Sequence, residues 1–155
     1  MIAYTRTPRP DAARELGVEL VDLPMLLAES DAVTLHVPLE SSTRHLIGEP
    51  ELRAMKSSAI LINTARGAVV NQEAMIRAIN EEWIAGVALD VFDIEPLPED
   101  DPLRALDPTR VLMTPHSMSN TPAGRRGTQR EVVDKILNAA NGTRPRTAVN
   151  PQAWA

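Results

Sequence analysis

A chain of 155 residues is about one domain's worth of sequence, since single domains commonly run roughly 100–200 residues. Its hydrophobic share of 43% and charged share of 24% are globular values that exclude a disordered chain, and zero Cys excludes disulfides, Cys-ligated zinc and thiolate catalysis. A net charge of −5 argues against a nucleic-acid surface, and no run approaches the roughly 18 consecutive apolar residues of a membrane span. The N-terminus, Met1-Ile2-Ala3-Tyr4-Thr5-Arg6, lacks the layout of a secretory signal, so a cytoplasmic protein is expected. No metal site is expected.

Apolar runs of strand length alternate with helix-periodic stretches, the signature of βαβ units and a parallel sheet. Met1 to Tyr4 reads as a strand, and Asp11 to Leu16 as a helix stopped by Gly17. Val18 to Val21 is a short strand and Leu23 to Glu29 a short helix. Ala32 to Val37 is a β-branched strand ended by Pro38, which has no N–H for a ladder. Pro50, placed at the first helical position, opens a helix over Glu51 to Met55, and Ala59 to Asn63 is a buried strand. Asn71 caps a helix that carries Ala74, Met75, Ala78 and Ile79 at helical spacing. Gly86 to Val91 is another strand, Asp101-Pro102 opens one or two helical turns, and Val111 to Thr114 is the last strand. Thr121-Pro122 opens a final helix through Ala140, stopped by Asn141-Gly142, and 143–155 is read as an extended tail.

In open α/β sheets ligands bind beyond the carboxyl ends of the strands. There the sequence places His36-Val37-Pro38, then Asn63-Thr64-Ala65-Arg66-Gly67, then Asp90 with Glu95-Pro96, then Pro115-His116. Each has a plain alternative. His36 reads first as a packed or hydrogen-bonded strand imidazole, and His45 as exposed. Arg66 could cap the turn before Asn71, although Gly67 behind it suits a backbone that approaches a ligand closely.

The wording and order of these segments resemble the D-isomer-specific 2-hydroxyacid dehydrogenase family. The matching pieces are Leu35-His36-Val37-Pro38-Leu39 with Thr43 and Leu46-Ile47, then Met55-Lys56 and Leu61-Ile62-Asn63-Thr64-Ala65-Arg66-Gly67. They continue with Gly86-Val87-Ala88-Leu89-Asp90-Val91-Phe92, Glu95-Pro96-Leu97-Pro98 and Thr114-Pro115-His116. The resemblance implies an NAD(P)-dependent oxidoreductase that moves a hydride between a nicotinamide and a small 2-hydroxy or 2-keto acid. Arg66, Glu95 and His116 would be its catalytic set. His116 would be the acid that protonates the carbonyl oxygen, Glu95 its partner, and Arg66 the holder of the substrate carboxylate. The cofactor would meet Thr5, Arg6, Val37, Pro38, Thr43, Thr64, Ala65, Arg66, Asp90 and His116. Family members are usually homodimers.

An acid at the end of the second strand commonly takes the ribose 2′-hydroxyl of NAD. Here the aligned residue is Thr5, followed by Arg6, which favours NADP over NAD, with NAD still accepted. The alternative is that Arg6 and Arg9 are surface charges. No Gly-x-Gly-x-x-Gly occurs in the chain. The expected fold is therefore α/β, a Rossmann-like doubly wound parallel sheet lacking the first strand and the glycine-rich loop. Residues 1–142 would form a partial NAD(P)-binding domain followed by the tail. In strand order 3-2-1-4-5-6 the missing strand is the central one, so two facing edges would lack a partner. Such a truncation would impair activity. The alternative function is a non-catalytic remnant or a cofactor-binding interaction module of the same superfamily.

Overall fold

The computed structural model describes all residues except Ser119, Arg146, Pro151 and 153–155, and the chain divides into two compact units, Met1–His116 and Ser117–Ala155. The first holds six parallel strands: β1 (Ile2–Ala3), β2 (Glu19–Leu20), β3 (Ala32–Leu35), β4 (Ile60–Asn63), β5 (Gly86–Leu89) and β6 (Val111–Met113). They form two sheets rather than one. β1 pairs with β2, and separately β3–β4–β5–β6 pair in chain order. Among the described residues no strand pairs with the outer edge of β3 or the free edge of β1.

Register follows from burial. Val33, Leu35, Leu61, Val87, Leu89 and Val111 point to one face and are buried. On that side lie α2 (Leu23–Glu29), α3 (Glu49–Ala54) and α4 (Gln72–Asn80), which contribute Leu27, Leu52, Ala74, Met75, Ala78 and Ile79 to the same core. Of the alternate residues, Ile60 at 44% and Leu112 at 65% exposure remain open to solvent, while Ile62 and Ala88 are half-buried. The period of two along each strand produces this division.

Helix starts follow local chemistry. The Asp22 carboxylate accepts the Met25 N–H at the start of α2, and the Asn71 side chain accepts the Ala74 N–H at the start of α4. α1 (Pro10–Glu15) begins at Pro10, one residue before the expected start. α3 begins at Glu49, because the Glu51 carboxylate reaches back to the Gly48 N–H, so Pro50 stands at the second helical position and not the first. Asp101 accepts the Leu103 N–H and opens a 3₁₀ turn over Pro102–Ala105. In the second unit α5 (Pro122–Ala140) starts where Thr121 accepts the Gly124 N–H. The expected tail is described only at 143–145, 147–150 and 152. There the Ala148 N–H donates to the Pro145 carbonyl, a turn within a segment read as extended.

One interior clamp is invisible in the sequence. The Arg110 guanidinium donates to the carbonyls of Ile79 (2.7 Å), Ile84 (2.6 Å) and Ala85 (3.0 Å), and so ties the end of α4 and the entry to β5 to the residue before β6. Gly86 fits under it because a Cβ there would lie 2.7 Å from the Arg110 carbonyl oxygen. Arg110→Ala is expected to cost about 2–4 kcal/mol in urea unfolding, since three carbonyls lose a charged donor at once. A cost under about 0.5 kcal/mol, the scale of an ordinary surface substitution, would show the clamp to be incidental.

Candidate active site

The strands of each sheet run parallel, so their carboxyl ends share a rim, and the polar residues singled out in the sequence follow those ends. The site is built from the turn after β4. Asn63, the last residue of β4, is 1% exposed, and its side chain closes the turn twice. Its amide donates to the Arg66 carbonyl (2.9 Å) and its oxygen accepts the Ala65 N–H (3.1 Å). Thr64 and Ala65 are thereby held in a tight bend that presents Arg66, whose side chain is exposed and donates to the Ala65 carbonyl at 2.6 Å. Behind it, a 3₁₀ turn runs over Gly67–Val69.

Gly67 is required by packing. A Cβ would lie 2.1 Å from the carbonyl carbon of Phe92 and 2.4 Å from the Asp93 nitrogen, so the backbone of this turn lies directly against the backbone after β5. The contact stacks the turn after β4 directly on the segment that carries Glu95.

Glu95 is fixed from two sides. One carboxylate oxygen accepts the Phe92 N–H (3.0 Å), and the other lies 2.7 Å from Nδ1 of His116. His116 adopts a left-handed backbone with φ of 50°, and its N–H donates to the Thr114 carbonyl (3.0 Å). That compact turn aims the ring back at Glu95. The end of β6 is itself tied to β5: the Thr114 hydroxyl donates to the Asp90 carboxylate at 2.5 Å, and Asp90 is only 5% exposed. The Glu95 carboxyl is held below its ordinary 4.5, chiefly by His116, then by the Phe92 N–H, with a smaller contribution from the charge of Arg66. Glu95 thus registers both other members of the trio electrostatically.

The remaining candidates lie along the same rim. After β3, Val37 packs half-buried on the core, Pro38 is exposed, and Thr43 ties the loop by donating to the Pro38 carbonyl (2.6 Å) and accepting the Glu40 N–H (2.8 Å). His36 lies beyond β3 and is exposed, not packed within the strand, because β3 ends at Leu35 opposite Asn63, the last residue of β4; it is hydrogen-bonded instead, its Nε2 3.0 Å from the Thr34 hydroxyl. His45 is exposed, as the sequence suggests. After β1, Thr5 is exposed, and Arg6 is not a free cation but pairs with Glu40 at 2.7 Å and donates to the Ser42 hydroxyl at 3.1 Å. Sequence reasoning misses Glu40, Ser42 and the closing role of Asn63. An Asn that ends a buried strand before a Gly-containing turn is the available signal for the last.

Parallel strands with polar residues gathered at their carboxyl ends define a dinucleotide-binding type of α/β unit. The family model for the D-isomer specific 2-hydroxyacid dehydrogenase NAD binding domain matches residues 1–117, and the chain belongs to this family. It is 45% identical over 152 residues to a glyoxylate reductase of Korarchaeum cryptofilum, a match covering 98% of this chain and 45% of that protein. Among solved structures it resembles the NAD-complexed D-isomer specific 2-hydroxyacid dehydrogenase of Lactobacillus delbrueckii ssp. bulgaricus, with TM-score 0.84, 34% identity, and coverage of 96% of this chain and 48% of that one. The TT0316 protein of Thermus thermophilus is similar at TM-score 0.83 and 38% identity, covering 96% and 45%. The chain therefore spans about half the length of the relatives it matches. Among the described residues no helix is long and apolar enough to cross a membrane.

Because the Glu95 value is depressed in the folded state, its stabilising contribution is fully present above 4.5 and is lost as pH falls through the lowered value. Carbon NMR of the Glu95 carboxyl is expected to show a midpoint below 4.5, moving upward in His116→Ala as the largest cause is removed. A midpoint indifferent to that substitution would mean that the pair does not form in solution.

Proposed function

We propose that the chain carries the nicotinamide end of a dehydrogenase site for small 2-hydroxy and 2-keto acids. The observation that carries this reading is the 2.7 Å contact of His116 with Glu95, beside the exposed Arg66. A nicotinamide, when bound, supplies the hydride. Everything else is work for residues of this chain.

His116 is the proton donor to the carbonyl oxygen, and the acceptor in the reverse direction. Glu95, ionised across the neutral range, holds the ring at Nδ1, which leaves Nε2 for the substrate. Arg66 presents a planar fork of donors suited to a carboxylate. Because one of its nitrogens is anchored on the Ala65 carbonyl, the guanidinium is positioned and not swinging free. Thr64, Ala65, Asp90, Val37, Pro38 and Thr43 line the rim for the cofactor. At the other end Thr5 and Arg6 face its adenosine ribose; the neutral Thr5 beside Arg6 favours NADP, and because Arg6 is paired with Glu40, NAD is accepted as well. The donor set fits both ends of a dinucleotide; the Gly-rich cradle for the pyrophosphate is not among these 155 residues.

The relatives' names make glyoxylate the first substrate to try. Supplied with NADPH or NADH, the chain is expected to reduce it, at a rate impaired for want of a pyrophosphate cradle among these residues, followed by loss of nicotinamide absorbance. His116→Ala should lower kcat/KM by about 10²–10⁴-fold, the usual worth of a general acid. Arg66→Gln should lower it by about 10–100-fold, the scale of a lost charged hydrogen bond, mostly through KM. Cofactor binding without hydride transfer, or a His116→Ala chain as active as its parent, would overturn the proposal.

A further inference from the structure

Arg6 and Glu40 stand 34 residues apart and leave the ends of strands in two different sheets, yet their side chains meet at 2.7 Å. The same nitrogen of Arg6 also donates to Ser42 at 3.1 Å. Glu40 is stationed and not adventitious. Its own N–H is held by the Thr43 hydroxyl, which in turn donates to the Pro38 carbonyl, so the loop closes on itself and carries the carboxylate to Arg6. Both side chains face solvent, at 67% and 42% exposure, where a ligand reaches them without any rearrangement of the core.

From this pairing we infer that Glu40 is the specificity-determining residue for the cofactor: it occupies the guanidinium that a ribose 2′-phosphate would need, and so keeps the site open to the cofactor that lacks one. The inference rests on the reading above that Arg6 faces the 2′ position. A 2′-phosphate and the Glu40 carboxylate are both anions, and they compete for Nη1 of Arg6 while repelling each other. A 2′-hydroxyl meets no such conflict. It donates to a carboxylate, so the acid that Thr5 does not supply at the end of β1 is offered from the loop after β3. The pair lets one site accept both cofactors, with Glu40 setting the balance.

The test is titration of the 155-residue chain with adenosine 2′-monophosphate, followed by NMR shifts of the 5–7 and 39–43 amides, for the parent, Glu40→Gln, Arg6→Gln and the double variant. Removing an exposed competing ion pair and a nearby like charge is expected to tighten Glu40→Gln binding roughly three- to tenfold, with the gain shrinking in high salt. Arg6→Gln should weaken binding and erase the gain in the double variant. If Arg6→Gln weakens binding while Glu40→Gln leaves it unchanged, the role of Glu40 is overturned and the reading of Arg6 stands. If Arg6→Gln changes nothing, or none of the four proteins binds, Arg6 does not face the 2′ position and both fall. Because the two residues are exposed, unchanged shifts elsewhere in the spectrum show that each variant is folded.

Discussion

The site depends on one contact between two stretches of backbone. Gly67 lies against Phe92 and Asp93 with no room for a side chain, and through that contact the turn after β4 is stacked on the segment after β5. Asn63, buried beneath, locks the turn from inside. Phe92, pressed by Gly67, donates its own N–H to Glu95, whose other oxygen accepts from His116. A chain of short-range hydrogen bonds thus runs from a buried strand end to an exposed imidazole. Each link is a fixed dipole or charge, so the ring and the Arg66 fork are oriented before any ligand arrives, which is what preorganisation requires.

The parallel sheet makes this arrangement available. Parallel pairing in chain order brings the ends of β3 to β6 to one rim, and the alternation that buries Leu61 and Leu89 beside the helices leaves Asn63 and Asp90 at the points where the strands stop. The Thr114 hydroxyl on Asp90 carries the order across to β6. Between β1 and β3 no described strand transmits register in this way. There the Arg6–Glu40 pair joins the two rims by side chains alone, a solvent-exposed link that is weaker than a ladder and sensitive to salt.

Much of this is legible from the residues. The alternation of apolar runs marks every strand, and Asn71, Asp101 and Thr121 cap helices or turns where their side chains suggest. The trio of Arg66, Glu95 and His116 comes from resemblance, and the structure brings Glu95 and His116 into contact with Arg66 close enough for its charge to act on Glu95. What the sequence conceals is contact between residues far apart in the chain. Nothing local to Gly67 reports that Phe92 will sit over it, nothing near Arg110 names three carbonyls some 25 to 31 residues earlier, and nothing near Arg6 points to Glu40. His36 falls outside the strand expected to run to Val37, because β3 pairs only as far as Leu35, where its neighbour β4 ends at Asn63.

If the rim is one connected unit, a cut at its buried end must be felt at its exposed end. Asn63→Ala removes the side chain that closes the turn and leaves the Ala65 N–H without its acceptor, at a cost of about 1–3 kcal/mol that leaves room for a folded chain. The decisive measurement is the carbon NMR titration of Glu95 in that variant. The midpoint should climb toward 4.5 as Gly67 loses its hold on Phe92 and the Phe92 N–H leaves the carboxylate. A folded Asn63→Ala chain whose Glu95 titrates as low as in the parent would contradict it, and would mean that Glu95 and His116 are held without the turn after β4.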